Sequence, residues 1–525
     1  MTQKISFPKT TVNKLPATLS AGVEGQKILV LGQKTSTGSA IAETLIKGVS
    51  KADINTKFGQ GSMLAGQLNS IFKIFTDSQS DKLPRVDVIA MDDAGAGVVA
   101  ESTITITGTG NASTDGVLKV KICGTEYSLT ITEGDTISEL GALLNTEITN
   151  ADNPFSNAET GNIVTLTARN KGTIANDFPI SMSGVSLDGS DYKIGNITVV
   201  ITAFTSGATN PTMTDVFDVI EEERYQTINA PIQLGTDYIT TLLDNRFNVT
   251  NDILDGVYIG CQIDTLSALK VVGNALNSQS VVIIGDRKYA DGNNLGGALK
   301  EIDYIVSAQV SAVRALRKTE GSNIVNITPA VANGSLDGEG GIAINSLPYA
   351  NTPLNDLEVI ETGLGFSKVE AGELNETGIS ILGNNKVDNI VLLGEIFTTY
   401  KTDVAGNEDT TWKFLNTVDE MSASAEYIFV NFKKRFVQSR LTAGSLKAGR
   451  NVANEQVLKS YMLQLFIELG DELIGVEGKE AEDYFFKNLV LTIDYVNGKV
   501  DINSSFPIVV QLRELLINLK TQFGL

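Results

Sequence analysis

The chain opens with two almost wholly apolar runs separated by a helical pattern. The runs "KILVLG" (27–32) and "RVDVIAM" (85–91) are typical of strands buried on both faces of a parallel sheet. Between them, apolar side chains recur at helical spacing, namely Leu64, Leu68, Ile71, Phe72 and Phe75. Residues 26–99 therefore predict the first part of an α/β core with a β-α-β order.

Near residue 100 the pattern changes to short alternating Thr/Ile/Val segments. Segments such as "STITIT", "VLKVKI" and "IVTLTA" are separated by Gly, Asn and Asp, which is typical of sandwiches and small barrels. One predicted helix, "TISELGALLNTEIT", interrupts them. We therefore expect an inserted all-β, sandwich-like domain at residues 100–212.

After the insert the α/β pattern resumes. "VYIGCQI" and "VVIIG" predict buried strands, and "TLSALKVVGNAL" predicts the helix between them. The stretch "GGALKEIDYIVSAQVSAVRALRK" (296–318) predicts one long helix with Leu299, Ile302 and Val306 on its apolar side. Residues 213–350 are thus expected to complete the core.

Residues 351–511 predict a separate α+β domain. The strands "GISILG" and "NIVLLG" precede two long helices, in "WKFLNTVDEMSASAEYIFVNFKKRF" and "NEQVLKSYMLQLFIELGDEL". The stretch "NLVLTIDYVNGKVDINSS" then predicts two strands joined by a turn at Asn497-Gly498.

Both ends of the chain have the pattern of an arm. Residues 1–25 are polar and turn-rich, with a short alternation at Ile5 and Phe7. In residues 512–525, period two places four apolar side chains on one face: Leu515, Ile517, Leu519 and Phe523. A helix would instead group Leu512, Leu515, Leu516 and Leu519, so the period alone leaves both forms open. A strand with one apolar face must pair with a sheet edge, either its own or a neighbour's.

Charge and composition argue against several classes of protein. The formal net charge of −21 disfavours a nucleic-acid or anionic-membrane surface, because both need a concentrated basic footprint. No apolar run approaches the ~20 residues of a membrane span, and "MTQKISFPKT" lacks the layout of a secretory signal. We expect a soluble protein from a reducing compartment, with Cys123 and Cys261 unpaired.

Candidate catalytic chemistry is sparse. Five residues separate Gly32 from Gly38, where a phosphate-binding P-loop has four. The chain has no histidine, which removes the usual general base of serine and cysteine hydrolases and the commonest metal ligand. Asp92-Asp93 follows a strand as an active-site residue could, but a solvated hinge beside the insert is the simpler interpretation. We expect no catalytic residue, no cofactor and no metal.

Three stretches carry a more specific signal. They are "LVLGQKTSTGSA" with "FGQGSMLAGQL", the segment "TYKTDVAGNEDTTWKFLNTVDEMSASAEYIFVNFKKRF", and the closing "FPIVVQLRELLINLKTQF". Together they resemble the tail sheath proteins of contractile bacteriophages, most closely the Mu-like branch, and "TARNKGTIANDFPISM" in the insert is of a kind seen there. The resemblance implies a loosely subtilisin-like α/β core without a protease site, and an α+β C-terminal sheath domain.

The resemblance also implies a mechanical function. The subunits would form a homo-oligomer of six-fold rings stacked helically around a tail tube protein, with baseplate and tail terminator proteins as further partners. Contraction would drive the tube through the host envelope. Neither nucleic-acid binding nor membrane insertion is implied. The sheath would be part of the virion tail, assembled in the host cytoplasm.

In such sheaths, arms at both ends of a subunit add strands to the C-terminal-domain sheets of its neighbours. The residues expected to do so here are Ile5, Phe7, Leu515, Ile517, Leu519 and Phe523. Lys447 and Arg450, at the start of the second long helix, are candidates for facing the tube, with a solvated loop as the alternative. Two other functions stay open: the sheath of a phage-derived bacteriocin or secretion-type system, and an α/β enzyme with a β-sandwich accessory domain.

Overall fold

The described residues of the computed structural model fall into two compact units. The first unit spans Glu24–Asp419, and the second contains the described residues from Glu420 onward. The structure describes residues 26–78, 80, 83–183, 193–212, 219–220, 223–234, 256–290, 294–320, 349–354, 357–385, 390–436, 438–444, 452–471 and 478–505.

The first unit begins with the predicted β-α-β order. Strand β1 (Lys27–Gln33) is followed by the two-residue β2 (Leu45–Ile46), helices α1 (Ile54–Phe58) and α2 (Met63–Ser78), and strand β3 (Arg85–Met91). Strands β1 and β3 pair in parallel, with Ile28 opposite Val86. The strands and the helix expected between residues 27 and 91 are confirmed.

Residues 99–201 form two groups of strands around helix α3 (Ile137–Ile148). The strands are β4 (Val99–Gly108), β5 (Gly116–Ile122), β6 (Thr125–Ile131), β7 (Phe155–Thr160), β8 (Ile163–Lys171), β9 (Ile180–Ser183), β10 (Lys193–Ile194) and β11 (Ile197–Ile201). One antiparallel sheet has the order β10-β11-β4-β8-β7. A capping box at Thr136 and Glu139 begins the helix, which lies where the sequence predicts it.

The central sheet is completed by strands that follow this region. They are β12 (Thr227–Asn229), β13 (Val257–Asp264), β14 (Val281–Ala290) and, further along, β17 (Ile379–Ser380). With β2 at one edge, the order of this eleven-stranded sheet begins β2-β3-β1-β12-β13-β14, and β17 pairs with β14. All these pairings are parallel except that of β2.

The central strands are apolar throughout because both faces of the sheet are covered. In β1, Ile28 and Val30 join a core cluster with helices α2 and α5 (Asp303–Glu320). The alternate residues Leu29 and Leu31 join a second cluster, to which helix α4 (Leu266–Ala275) contributes. Period two therefore sends alternate side chains into different cores.

The long helix predicted for residues 296–318 begins later than expected. Asn294–Gly297 is strand β15, which pairs antiparallel with the end of β14 and with β9. Gly296 has φ +93°, which a helix cannot contain, and helix α5 begins only at Asp303. Leu299 and Ile302 are buried as predicted, but they lie in the connection before the helix.

The rest of the first unit contains a small sheet and a helix. Strands β16 (Pro353–Leu354), β18 (Leu382–Asn385) and β19 (Ile390–Leu393) form an antiparallel sheet in the order β16-β19-β18. Helix α6 (Lys368–Glu376) begins with a capping box at Ser367 and Glu370. Helix α7 (Leu415–Phe436) starts in this unit, and its residues from Glu420 onward belong to the second unit.

The second unit combines helices with two short sheets. After α7 come β20 (Arg440–Leu441) and β21 (Val452–Ala453), which pair in parallel, then helices α8 (Glu455–Asp471) and α9 (Lys479–Asn488). Strands β22 (Val490–Asp494) and β23 (Lys499–Asn503) close it as an antiparallel pair. The two long helices and the final hairpin are those predicted from the sequence, and the coarse expectation of a mixed α/β and α+β architecture is confirmed.

Candidate functional site

The glycine-rich turn after β1 does not offer its backbone donors to a phosphate. Five N–H groups of this turn already donate to carbonyl oxygens at 2.8–3.1 Å: Lys34 to Met91, Thr35 to Phe58, Gly38 to Thr35, Ser39 to Thr56 and Ala40 to Lys57. A phosphate site requires such N–H groups to point at the ligand. The turn is therefore a packed connection.

The position where an open α/β sheet would bind a ligand is filled by protein. Ligands of such sheets bind at the carboxyl ends of strands where the winding reverses, which here lies between β1 and β12. At the end of β1, Gln33 donates to Asp93 Oδ1 at 2.7 Å and to the Lys171 carbonyl oxygen at 2.8 Å. Asn170 donates to Asp93 Oδ1 at 3.0 Å. The cavity left beside Gln33 and Phe178 measures about 10 Å³, which is room for one water molecule at most.

Three buried carboxyl groups mark the connection between β14 and α5. Burial raises the pKa of Asp286 to about 8, and it raises those of Glu301 and Asp303 to about 7. Perturbed pKa values often accompany active sites. These groups instead accept backbone hydrogen bonds: Asp286 from Leu299 at 3.1 Å, Glu301 from Glu358 at 2.8 Å and Asp303 from Tyr304 at 2.7 Å. They are at most 7% exposed and hold the connection in place.

The hairpin β22–β23 of the second unit offers a different kind of site. Its strands place Leu491 opposite Ile502 and Ile493 opposite Val500, so that four apolar side chains share one face. The connecting loop contains Gly498 at φ +66°, in the left-handed region that favours glycine. The turn is encoded by neighbouring residues, and for this reason the sequence alone predicts the hairpin correctly.

Both outer edges of this hairpin lack a further strand among the described residues. In an antiparallel pair, every second residue of each strand directs its N–H and C=O groups away from the partner. A free edge of this kind accepts another strand through main-chain hydrogen bonds, with alternate side chains giving specificity. Among the described residues, each outer edge of the hairpin is therefore able to accept one additional strand.

Helices α8 and α9 support the hairpin. Helix α8 contacts both α9 and β22, and it buries one apolar stripe: Leu458, Met462, Leu465, Phe466 and Leu469. The ring of Phe466 stacks on that of Phe485 in α9, with centroids 4.4 Å apart and planes 6° apart. Stacked aromatic side chains of this kind add to the burial energy and fix the relative position of two helices.

The polar face of the hairpin carries charges of both signs. Asp494 lies opposite Lys499, and Thr492 lies opposite Asp501. The Lys499 ammonium group is 3.0 Å from Asp501 Oδ1. Asp494 is occupied by the turn, because its Oδ1 accepts the N–H groups of Val496 at 2.9 Å and Asn497 at 3.1 Å.

The site residues predicted from the sequence lie outside the described residues. This applies to the strand donors Ile5, Phe7, Leu515, Ile517, Leu519 and Phe523, and to the tube-facing candidates Lys447 and Arg450. Their roles stay predictions. The acceptor residues were not singled out from the sequence, although the alternation of Leu491, Ile493, Val500 and Ile502 around a turn is a signal that could have identified them.

The described part of the chain offers neither a metal-binding cluster nor a membrane-spanning helix. It contains no cluster of three or more cysteine, aspartate or glutamate side chains arranged to hold a metal ion. None of its helices is both long enough and apolar enough to cross a bilayer.

Among known proteins, the chain is similar to a tail sheath protein of a Mu-like prophage. No protein-family model matches the chain. The chain is 23% identical to the tail sheath protein of the Mu-like prophage FluMu of Haemophilus influenzae over 474 residues. The alignment covers 89% of this chain and 86% of that protein. The resemblance to Mu-like tail sheath proteins inferred from the sequence motifs is thereby confirmed.

Solved structures with a similar chain trace are described in related terms. A sheath tail protein from Listeria innocua matches with a TM-score of 0.45 at 12% identity, over 93% of both chains. A protein of the anti-feeding prophage baseplate matches with a TM-score of 0.43 at 10% identity, over 99% of both chains. The contracted helical sheath of the anti-feeding prophage matches with a TM-score of 0.36 at 14% identity, over 62% of this chain and 79% of the other. All three TM-scores lie below 0.5.

Proposed function

We propose that this chain is the structural subunit of a contractile tail sheath. The observation that carries the proposal is the similarity to a Mu-like tail sheath protein along 89% of the chain. The hairpin β22–β23 supports it, because a subunit that polymerises by strand exchange needs an open sheet edge. The packed turn after β1 and the filled end of the central sheet fit a scaffold rather than an enzyme.

The assembly is a homo-oligomer held together by exchanged strands. Residues 4–12 and 512–523 of one subunit add to the free edges of β22 and β23 in its neighbours. The apolar side chains of the arms extend the apolar face formed by Leu491, Ile493, Val500 and Ile502. Main-chain hydrogen bonds then join each ring to the next while the units themselves stay folded.

The domains have separate tasks in this proposal. The core of residues 26–99 and 213–350 is a subtilisin-like scaffold, and residues 100–212 form a sandwich-like domain on the outside of the sheath, where additions are tolerated. Residues 351–511 form the sheath domain that carries the acceptor hairpin, and residues 1–25 and 512–525 are the arms. Lys447 and Arg450 face the tail tube.

Contraction is a rigid-body rearrangement of subunits that stay linked through their arms. The extended lattice of six-fold rings is metastable and held by a kinetic barrier, so the energy is stored during assembly and no cofactor is used. The sheath acts with a tube protein, a baseplate and a tail terminator, drives the tube through the host envelope, and belongs to the virion tail after assembly in the host cytoplasm.

The test is negative-stain electron microscopy of the purified full chain and of variants of its last residues. We expect rings or striated tubes from the full chain, and monomers from a truncation after Ser505. The variant Ile517→Asp should also abolish assembly, because it places a charge on the apolar face of the donated strand. The matched variant Asn518→Asp adds the same charge on the opposite face and should assemble.

Compact monomers of the full chain at high concentration and raised salt would overturn the proposal. They would favour the alternative of an α/β enzyme with an accessory β-sandwich domain. Assembled tubes from the truncated chain would overturn strand donation by the C-terminal arm. The alternative of a bacteriocin or secretion-type sheath shares the same mechanics, and a capsid gene beside the gene of this chain would argue against it.

A further inference from the structure

Charge is distributed unequally between the N-terminal arm and the segment that carries the acceptor hairpin. Residues 1–23 contain Lys4, Lys9 and Lys14 and no acidic residue, a net charge of +3 in a chain of net charge −21. Residues 454–505, which include α8, α9 and the hairpin, contain ten acidic and four basic residues, a net charge of −6. Complementary charge of this kind steers association and suppresses wrong pairings.

Part of this acidic charge faces solvent without a local partner. Glu480 and Asp483 on helix α9 are exposed and form no ion pair with another described residue. Helix α9 ends at Asn488 and leads into β22 through a single residue. The acidic helix and the acceptor hairpin are therefore consecutive elements of one acidic segment.

On the hairpin itself, Asp501 is the carboxylate best placed to meet a donated strand. It lies on β23, on the face opposite to Val500 and Ile502, and the residue across from it on β22 is the uncharged Thr492. Within the described part of the chain its cationic contact is Lys499, two residues away on the same strand, which donates to Oδ2 at 3.2 Å. Asp494, in contrast, is engaged by its own turn.

The pattern of the N-terminal arm places a lysine on the matching face. In a strand, Ile5 and Phe7 point to one side and Lys4 points to the other. When Ile5 and Phe7 extend the apolar face of the hairpin, Lys4 falls on the polar face, where β23 carries Asp501, its only carboxylate. A slip of one residue would reverse both faces and bring Lys4 over apolar side chains.

We propose, on the basis of the strand exchange proposed above, that Lys4 of one copy pairs with Asp501 of a second copy across the free edge of β23. This ion pair sets the register of the donated N-terminal strand. The C-terminal arm is a poorer partner for this edge, because its corresponding face carries both Glu514 and Lys520 and has no net charge.

The test is a charge swap in the full chain, read out as the lowest protein concentration at which particles sediment in 0.1 M salt. Asp501→Lys should raise this concentration at least about threefold, since like charges opposite each other destabilise a strand pair. Lys4→Glu should have a similar effect, and the double variant Lys4→Glu with Asp501→Lys should return close to the original value. In 0.5 M salt the single variants should differ less from the original chain.

Two matched variants isolate the pair. Asp483→Lys makes the same change in net charge on helix α9 and should not be rescued by Lys4→Glu. Lys520→Glu tests the other arm and should not rescue Asp501→Lys. Absence of rescue by Lys4→Glu, or rescue by Lys520→Glu alone, would overturn the proposed pair.

A second measurement reads the register directly. Lys4→Cys combined with Asp501→Cys should form disulfide-linked multimers under mild oxidation, because facing residues of paired strands reach the required Cβ–Cβ distance of ~3.5–4.5 Å. Ile5→Cys combined with Asp501→Cys should not. Linkage through Ile5→Cys would overturn the register. Failure of strand exchange as a whole is distinguishable, because it would abolish particles of the unmodified chain as well.

Discussion

Arg314 and Asp419 form a buried ion pair, with Nη2 and Oδ1 2.5 Å apart and the two side chains 0% and 7% exposed. Lys318 lies 3.3 Å from the same oxygen, and the Tyr349 hydroxyl donates to the other oxygen at 2.6 Å. Burial opposes the charge of Asp419, but Arg314 and Lys318 outweigh it and hold the pKa of this carboxyl below its ordinary value. Because Arg314 lies on α5, the pair fixes the start of helix α7 to the core of the first unit.

Removing the acid should strongly destabilise the first unit. We expect Asp419→Asn to lower its free energy of unfolding by about 3–5 kcal/mol, because buried positive charge is left uncompensated. Urea denaturation followed by the fluorescence of Trp412, the single tryptophan of the chain and a residue packed against the core of this unit, would measure the loss.

Two variants control for the chemistry of this change. Asp483→Asn makes the same substitution on an exposed side of helix α9 and should cost little. The double variant Arg314→Met with Asp419→Leu should recover part of the stability lost in Asp419→Asn, since apolar residues replace buried pairs well. A wild-type midpoint for Asp419→Asn would contradict the assigned role.

The stability of the first unit should fall as pH rises through neutrality. The raised pKa values of Asp286 (about 8), Glu301 and Asp303 (each about 7) mean that the folded protein keeps protons which the unfolded chain releases near pH 4. Between those limits the native state binds more protons, so the free energy of unfolding decreases with pH. Thermal unfolding followed by Trp412 fluorescence at pH 6.0 and 8.5 should show the higher midpoint at pH 6.0.

The variant Asp286→Asn is the control for this pH dependence. An amide does not titrate, so the difference between the two midpoints should shrink. Glu223 has the opposite effect on the pH dependence of stability. Burial opposes its charge, but hydrogen bonds from Lys27, Lys47 and Arg85 lower its pKa to about 2. The stability that it contributes is therefore lost only at acid pH, outside the range of this experiment. A melting temperature that rises from pH 6.0 to 8.5 would contradict the prediction, because ionising these carboxyls in the folded protein would then not lower its stability.

Two glycine substitutions should have opposite effects on stability. Gly498→Ala forces a side chain into φ +66° and should destabilise the hairpin by about 1 kcal/mol, although no atom obstructs the new Cβ. Gly372→Ala lies in helix α6 in open space and should stabilise it by about 0.5–1 kcal/mol. Hydrogen exchange by mass spectrometry should show faster exchange in residues 490–503 for the first variant only. If residues 490–503 exchanged equally slowly in Gly498→Ala and in the unmodified chain, the turn would not be strained by the substitution.

The turn after β1 should respond to substitution as packing, not as a nucleotide site. A Cβ added at Gly38 would lie 2.6 Å from the carbonyl carbon of Phe58, so Gly38→Ala should lower the melting temperature. Gly95→Ala, where the new Cβ meets nothing within 4 Å, should leave it nearly unchanged. Magnesium nucleotides should not raise the melting temperature of the unmodified chain. A nucleotide-dependent increase that Gly38→Ala abolishes would overturn this interpretation.

What the sequence by itself determined were the features that depend on neighbouring residues. The apolar runs of β1 and β3, the helical stripe of α2, the capped helix α3 and the final hairpin follow from spacing and turn chemistry within about twenty residues, which is the range over which period and caps act. The motifs behind the resemblance to tail sheath proteins are equally local. For that reason the motifs can be recognised from the sequence alone.

Only the tertiary structure decided which strands pair across long separations. It turned residues 294–297 into a strand beside β9, placed β17 against β14, and brought Asp419 to Arg314. It also decided that the hairpin edges stay open within the described residues, and this property defines the acceptor site. An edge is free only when no distant segment of the same chain pairs with it, and local periodicity carries no information about distant segments.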